Sequence, residues 1–195
     1  MHRQVFAPAG LRWLAFLLAV SLPAAAAAGE GALARFDSEG THRHRGSDPV
    51  FTIDYPWAWN DAEQLSAPLV LQATAPAQLP VLRVAVLDEP FWLPLAFATR
   101  AASTQLGALG RDIEVLSEEV VDTEDGGRAN VGEVRWTASV GAGVAVRSLY
   151  VHRFHDGRWI VVNMTTADDG APVPGALRDI AFSLRFPDDG SGAAR

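Results

Sequence analysis

The stretch Val144–Ala167, VAVRSLYVHRFHDGRWIVVNMTTA, decides the fold of this 195-residue chain. Two runs rich in β-branched and aromatic residues flank Asp156-Gly157, and this dipeptide between such runs predicts a β-hairpin with a type I′ turn. A two-residue turn also fixes the register of the two strands. The expected cross-strand pairs are His155 with Arg158, Phe154 with Trp159, and His152 with Val161.

Both faces of this hairpin carry apolar side chains. Phe154 and Trp159 are expected to form a cross-strand aromatic pair on one face. Val151, Ile160 and Val162 share the other face. Strands that are apolar on both faces are typical of a sheet covered on both sides. We therefore expect other parts of the chain to pack on each face of the sheet.

More strands are predicted on the N-terminal side of this hairpin. Residues 112–124 and 128–140 are β-rich runs joined by Asp125-Gly126-Gly127, a second hairpin turn signal. Gly141-Ala142-Gly143 predicts the turn that leads into Val144. Earlier in the chain, residues 68–75 and 81–88 are further predicted strands.

The first predicted strand lies in VFTIDYPWAWN, residues 50–60. Phe51, Ile53 and Tyr55 alternate with polar residues, which is the period of a half-buried strand. Pro56 is expected to end it.

Two segments instead follow the helical period. Apolar residues recur every three or four positions at Leu95, Ala98, Ala102, Leu106 and Leu109, and again at Leu177, Ile180, Ala181 and Leu184. Each pattern predicts a helix with one apolar stripe. The fold class is therefore expected to be α+β: an antiparallel sheet of about six or seven strands with helices on one or both faces.

The N-terminus has the pattern of a secretory signal peptide. Arg3 and Arg12 precede a short apolar run, Trp13–Leu22, which an Ala-rich stretch follows. A cleaved signal peptide predicts a periplasmic or secreted bacterial protein. The expected organisation is a signal peptide at 1–28, a flexible linker at 29–48, one domain at 49–187 and a disordered tail at 188–195.

Composition removes several classes of function. The formal net charge of −7 disfavours a nucleic-acid binder, because such proteins need a basic surface. The chain has no Cys, so disulfides, thiolate catalysis and iron–sulfur clusters are excluded. It also has no phosphate loop, dinucleotide fingerprint or serine-hydrolase elbow. We therefore expect no cofactor and no catalytic residues.

Four histidines form two closely spaced pairs, an arrangement found among metal ligands. His42 and His44 lie in the polar sequence THRHR, where neighbouring arginines make a poor cation site. A metal-binding pair is the alternative to a solvated linker. His152 and His155 are three residues apart on a predicted strand, so they point to opposite faces and are not expected to share a metal.

Four aromatic residues are the candidate ligand- or partner-binding residues. They fall in predicted turns, where binding surfaces often form: Trp57, Trp59, Phe91 and Trp92. Tryptophan anchors many protein interfaces, but it also fills the ends of small cores. Sequence leaves both interpretations open for these residues.

Three segments resemble the PsbP-like fold family, which includes photosystem II PsbP and DcrB-type bacterial envelope proteins. They are FTIDYPWAW, with the spelling Tyr55-Pro56-x-x-Trp59, then DGRWIVVNMTT, and IAFSLRF in the last helix. The resemblance covers about residues 49–187. It implies an antiparallel sheet between helices and a protein that binds or assists assemblies without catalysis. No catalytic residue carries over from the family.

The expected function is therefore an exported, non-catalytic binding or assembly domain whose partner is a protein or another envelope component. A periplasmic small-ligand binder with a pocket lined by the four aromatics is the alternative. A hydrolase that uses His152 with dispersed carboxylates is a third hypothesis. Convergence of His152 with carboxylates would favour the hydrolase.

Overall fold

The computed structural model describes residues 40–88, 94–107, 110–138 and 143–187. A 3-10 turn at Leu95–Phe97 leads into the first helix. The elements are β1 (Thr41–Ser47), β2 (Val50–Pro56), β3 (Asn60–Asp61), β4 (Leu69–Thr74), β5 (Val81–Leu87), α1 (Ala98–Leu106), β6 (Gly110–Asp122), β7 (Arg128–Ala138), β8 (Val144–His155), β9 (Arg158–Ala167) and α2 (Gly175–Phe182).

Within these ranges, seven strands form one antiparallel sheet in the order β3-β4-β5-β9-β8-β7-β6, and β1 pairs with β2 in a separate two-stranded sheet. The long strands β6 to β9 follow one another as hairpins, so each lies beside its neighbour in sequence. The predicted α+β class and the antiparallel sheet are confirmed.

The hairpin of β8 and β9 has the predicted register. His155 pairs with Arg158, Phe154 with Trp159, and His152 with Val161. Asp156 and Gly157 have φ angles of 53° and 77°, the left-handed backbone that a type I′ turn requires at both positions. The rings of Phe154 and Trp159 meet edge to face with centroids 5.6 Å apart. The sequence therefore specified this hairpin correctly.

Both faces of the large sheet are covered, as its apolar pattern predicts. On one face, the buried residues of α2 and β2 pack on the sheet: Leu177, Ile180 and Ala181 with Phe51, Ile53 and Tyr55. On the other face, α1 packs against sheet tryptophans: Ala98, Ala102 and Leu106 with Trp136 and Trp159. The β1–β2 sheet and α2 therefore share one side, and α1 has the other.

The prediction of a flexible linker over 29–48 is wrong for residues 41–47, which form β1. The inward positions of this strand are His42, His44 and Gly46, and none of these residues has an apolar side chain. Nevertheless, each one packs on an aromatic side chain of β2, and a Cβ at Gly46 would lie 2.1 Å from the ring of Phe51. Hydropathy alternation does not register such packing, so the strand was missed.

Other predicted segments lie partly or wholly outside the described residues. These are the signal peptide at 1–28, the linker up to residue 39, Leu109 and the tail at 188–195. The helix predicted from Leu95 begins with the 3-10 turn and continues as α1.

Candidate functional site

Trp57 is the most exposed of the large apolar side chains in the described part of the chain. Its exposed fraction is 66 %, and it lies in the turn that follows β2. Its backbone N–H donates to the Gly40 carbonyl at 3.2 Å, which extends the β1–β2 ladder by one pair. The same turn is closed by a hydrogen bond from Trp59 N–H to the Pro56 carbonyl at 3.1 Å. Trp57 is therefore exposed on a turn whose backbone is held by hydrogen bonds.

A short row of rings continues from Trp57 into the core. The His42 ring lies 5.5 Å from Trp57 and 5.2 Å from Tyr55, between centroids. Tyr55 is buried, and its hydroxyl donates to the Asp61 carboxylate at 2.7–2.8 Å. Burial and this hydrogen bond raise the pKa of Tyr55, so its phenol stays protonated. The row of rings therefore connects the exposed Trp57 to the buried, hydrogen-bonded Tyr55.

The four candidate binding residues do not have one environment. Trp59 is 9 % exposed and belongs to the core cluster that contains Phe51 and Ile53. Phe91 and Trp92 lie outside the described residues. Of the candidates that the structure describes, only Trp57 presents its ring to solvent. Because Trp57 is exposed and Trp59 is buried, the two rings do not line one pocket, and they give no support to the small-ligand alternative.

The outer face of β1 is basic. Arg43 and Arg45 are exposed and alternate with the inward-facing His42 and His44. Arg43 makes a bidentate hydrogen bond to Asp54 of β2 at 2.7 and 2.8 Å. This contact lowers the pKa of Asp54. The pair fixes the Arg43 side chain while leaving 69 % of it exposed.

The histidines of β1 are not part of a metal centre within the described residues. There, no group of three or more His, Asp or Glu side chains is placed to hold a metal ion. His44 instead lies against Phe51, with ring centroids 6.0 Å apart, and burial lowers its pKa. These histidines pack on the inward face of the small sheet, against Tyr55 and Phe51 of β2. The sequence signal that could have revealed this role is their period-two spacing.

His152 does not assemble a hydrolase site. It is 2 % exposed, and its ring nitrogens have no side-chain hydrogen-bond partner among the described residues, although the backbone of Asn130 lies close enough to oppose part of the pKa shift. Its neighbours are the stacked ring of Tyr150 and the edge-on ring of Trp159. Burial lowers its pKa to about 3. No carboxylate is bonded to it, so the convergence that the hydrolase hypothesis requires is not present in the described part of the chain.

One buried cluster of charges connects α2 to the sheet. Arg178 of α2 donates to Glu133 of β7 at 2.6 Å. Arg147 of β8 lies 3.7 Å from Glu133 and 3.2 Å from Asp168. The side chains of Glu133, Arg147 and Asp168 are each 8 % exposed. Because its acids and bases are already paired with one another, we interpret this cluster as structural.

A second cluster holds the segment after α2. Arg153 of β8 donates to Asp125 at 2.8 Å and lies 4.5 Å above the ring of Phe186. Although burial opposes ionisation of Asp125, hydrogen bonds from Arg153 and Thr123 outweigh it and lower the pKa of the carboxyl to about 2. The other side of Phe186 stacks on His155 at 3.9 Å. His155 is therefore a packing residue at this end of the sheet.

In the acidic run before the β6–β7 turn, three carboxylates are already engaged by other side chains or backbone groups. Glu118 bonds to Arg100 and Asn130, and Glu124 pairs with Arg185. Asp125 is engaged by Arg153. These partners explain the run as a charged, structural edge.

The architecture, with an antiparallel sheet between helices and a β-hairpin over one face, is the PsbP-like fold. The chain is similar to the solution structure of cyanobacterial PsbP (CyanoP) from Synechocystis sp. PCC 6803, with a TM-score of 0.61 and 20 % identity over 85 % of this chain and 99 % of that chain. It is also similar to the crystal structure of the Saccharomyces cerevisiae Ran-binding protein Mog1p, with a TM-score of 0.56 and 11 % identity over 76 % of this chain and 96 % of that chain. No protein-family model and no curated protein matches the chain.

The predicted resemblance is therefore confirmed at the level of fold. Neither helix in the described ranges is long and apolar enough to cross a membrane.

Proposed function

We propose that this chain is an exported, non-catalytic binding domain that engages a protein partner through the Trp57 surface, defined here as the edge of the small sheet that carries Trp57 and His42 on one face and Arg43 and Arg45 on the other. The single observation that carries the proposal is the exposure of 66 % of Trp57 on an ordered turn. Tryptophan and arginine are the residues most enriched among those that dominate binding energy at interfaces. An exposed tryptophan on the same sheet edge as two arginines, of which Arg43 is held by Asp54, has the composition of such a site.

Two further observations support a binding role. The charge clusters and His152 are engaged by neighbouring side chains, whereas most of the Trp57 ring faces water. Among the structural neighbours, Mog1p is a Ran-binding protein, so this fold is known to support protein binding. A fold alone does not identify the partner, and the partner proposed here is a protein of the bacterial envelope.

The Trp57→Ala variant tests this function. We expect that the wild-type chain purified after crosslinking carries an envelope protein. The variant should bind that protein about tenfold or more weakly, since removal of a central tryptophan often weakens an interface by this factor. The thermal unfolding midpoint should hardly change, because the side chain is mostly exposed. Binding is measured by titration with the protein recovered from the crosslink.

Phe97→Ala is the matched control, because Phe97 is another exposed aromatic with an exposed fraction of 52 %. It should leave binding unchanged. Equal binding by wild type and Trp57→Ala would refute a role for the Trp57 surface.

Export is proposed from the signal peptide predicted at 1–28. Expressed in a Gram-negative host, the whole chain should appear in the periplasmic fraction in a shortened form. A version that lacks residues 2–28 should stay with the cytoplasmic marker. Recovery of the whole chain, uncleaved, from the cytoplasm would contradict the proposal.

A further inference from the structure

Four strands lie at sheet edges in the described part of the chain: β1 and β2 of the small sheet, and β3 and β6 of the large sheet. An edge strand presents unpaired backbone groups to which another strand can add. β3 has only two residues. β6 is long, but its register shifts at two places and Asp112 has a φ of 56°, so its edge is irregular. Irregular edges resist strand addition.

β1 differs from both. Its seven residues pair with β2 without a register shift, from Thr41 with Pro56 to Ser47 with Val50. The far side of β2 is already occupied, because Thr52 N–H donates to the Arg185 carbonyl at 2.8 Å. The open edge of the small sheet is therefore the outer edge of β1, as far as the described residues go.

The direction of the β1 backbone groups follows from its hydrogen bonds. Thr52 donates to Arg185, and Asp54 N–H donates to the Ser183 hydroxyl at 2.8 Å, so both amides point away from β1. In an antiparallel ladder the residues opposite them then also point away from their pair. Those residues are Arg43 and Arg45. Their N–H and C=O groups face the open edge.

The side chains around this edge would select what binds there. Arg43 and Arg45 project from one face, and His42 with Trp57 lie on the other. Arg45 makes no ion pair with another described residue. A strand added here would alternate between a basic face and an aromatic face. Because Asp54 already pairs with Arg43, the attraction for an acidic partner at this edge comes mainly from Arg45.

We propose that β1 accepts an extended acidic segment of a partner protein as an added strand. Its acidic residues face Arg43 and Arg45, and its intervening apolar residues face Trp57 and His42. Main-chain hydrogen bonds to Arg43 and Arg45 supply the pairing, and the alternating side chains supply selectivity. This inference rests on the proposed function, because it states the chemistry of the partner at the Trp57 surface.

The probe is a seven-residue peptide of alternating glutamate and valine, matched in length to β1. We expect the purified full-length chain to bind it, with slowed hydrogen exchange at the amides of Arg43 and Arg45 and a change in tryptophan fluorescence that is absent in Trp57→Ala. A peptide with lysine in place of glutamate should bind at least about tenfold more weakly, because it places like charges against the arginines.

Two variants separate backbone pairing from side-chain charge. Arg45→Pro removes an N–H that faces the open edge without removing a β1–β2 hydrogen bond, so peptide binding should fall about tenfold or more. Arg45→Gln keeps that N–H and loses only the charge, so binding should fall by about threefold. If Arg45→Pro does not fold, amide exchange in the wild-type chain remains the deciding measurement.

Several results would overturn the inference. These are no binding of the glutamate peptide at about millimolar concentration, binding without protection of the Arg43 and Arg45 amides, or equal binding of the lysine peptide. Protection of these amides in the peptide-free chain would mean that residues 29–39 or a second copy already occupy the edge. Preferential binding to anionic lipid vesicles, with no peptide binding, would assign the arginines to a membrane surface.

Partner binding at the Trp57 surface and strand addition at β1 can be refuted independently. If Trp57→Ala loses the crosslinked partner while the β1 amides are never protected, the binding function stands and strand addition is refuted. If peptide binding protects the amides but Trp57→Ala keeps its partner, strand addition stands and the Trp57 anchor is refuted.

Discussion

Glu133→Gln is expected to lower the free energy of unfolding by about 3 kcal/mol, the usual cost of removing one partner from a buried ion pair. Glu133 bonds to Arg178 at 2.6 Å and lies 3.7 Å from Arg147. Glutamine keeps the size of the side chain but removes its charge. Arg178 is 34 % exposed and can turn to water, whereas Arg147 is 8 % exposed and cannot. The cost therefore arises mainly at Arg147, which keeps only Asp168 nearby.

Urea unfolding at neutral pH measures this effect. Glu114→Gln is the control, because Glu114 is also a sheet glutamate paired with an arginine, Arg135, but its side chain is 55 % exposed. An exposed pair contributes about 0–1 kcal/mol, so this control should unfold almost like the wild type. If both variants lose equally little stability, the buried cluster does not fix α2 to the sheet.

The long hairpins were predictable because their determinants are local. Asp156-Gly157 specifies one turn geometry, and that geometry sets every pair along β8 and β9. The helical stripes at α1 and α2 were predictable for a similar reason, since a three-to-four-residue period of apolar residues describes one buried face. In these segments the apolar pattern and the structure agree.

β1 was not predictable in this way. Its inward side chains are histidine and glycine, and their burial depends on Phe51 and Tyr55 from the adjoining strand. The packing partner, and not the strand itself, is what makes the segment ordered. The basic edge next to Trp57 was missed together with the strand that forms it.

The candidate binding residues divide for a related reason. Trp57 and Trp59 are two positions apart in one turn, yet one is 66 % exposed and the other 9 % exposed. Which ring enters the core depends on the path of the turn from β2 to β3. Composition cannot separate them, although the spacing Tyr55-Pro56-x-x-Trp59 does indicate Trp59 as the structural one.

His152 is a buried imidazole without a side-chain hydrogen-bond partner in the described structure, and this has a consequence for acid stability. Its imidazole is enclosed by Tyr150 and Trp159, and burial lowers its pKa from 6.5 to about 3. In the unfolded chain the same group titrates near its ordinary value. The neutral form is therefore favoured by the folded state and the charged form by the unfolded state.

The sign of the pH dependence follows from this difference. Above about pH 6.5 His152 is neutral in both the folded and the unfolded state, so its titration does not change the free energy of unfolding. As the pH falls below the unfolded pKa, the unfolded chain gains a proton that the folded chain does not, so stability declines until the folded pKa is reached. Each pH unit in this window costs about 1.4 kcal/mol. Wild-type protein should lose about 3 kcal/mol between pH 7 and about pH 4 from this group alone.

His152→Leu should remove most of that loss, whatever the variant does to stability at pH 7, because leucine takes up no proton. Urea unfolding at several pH values between 7 and about 4 measures the slope; lower values are avoided because Asp125, with its pKa of about 2, then begins to contribute as its unfolded form protonates first. Equal slopes for His152→Leu and wild type would show that the buried imidazole finds a proton-accepting partner in solution. An acid slope that depends on His152 would instead establish it as a neutral core residue, and a neutral core imidazole cannot serve as a solvent-accessible catalytic base.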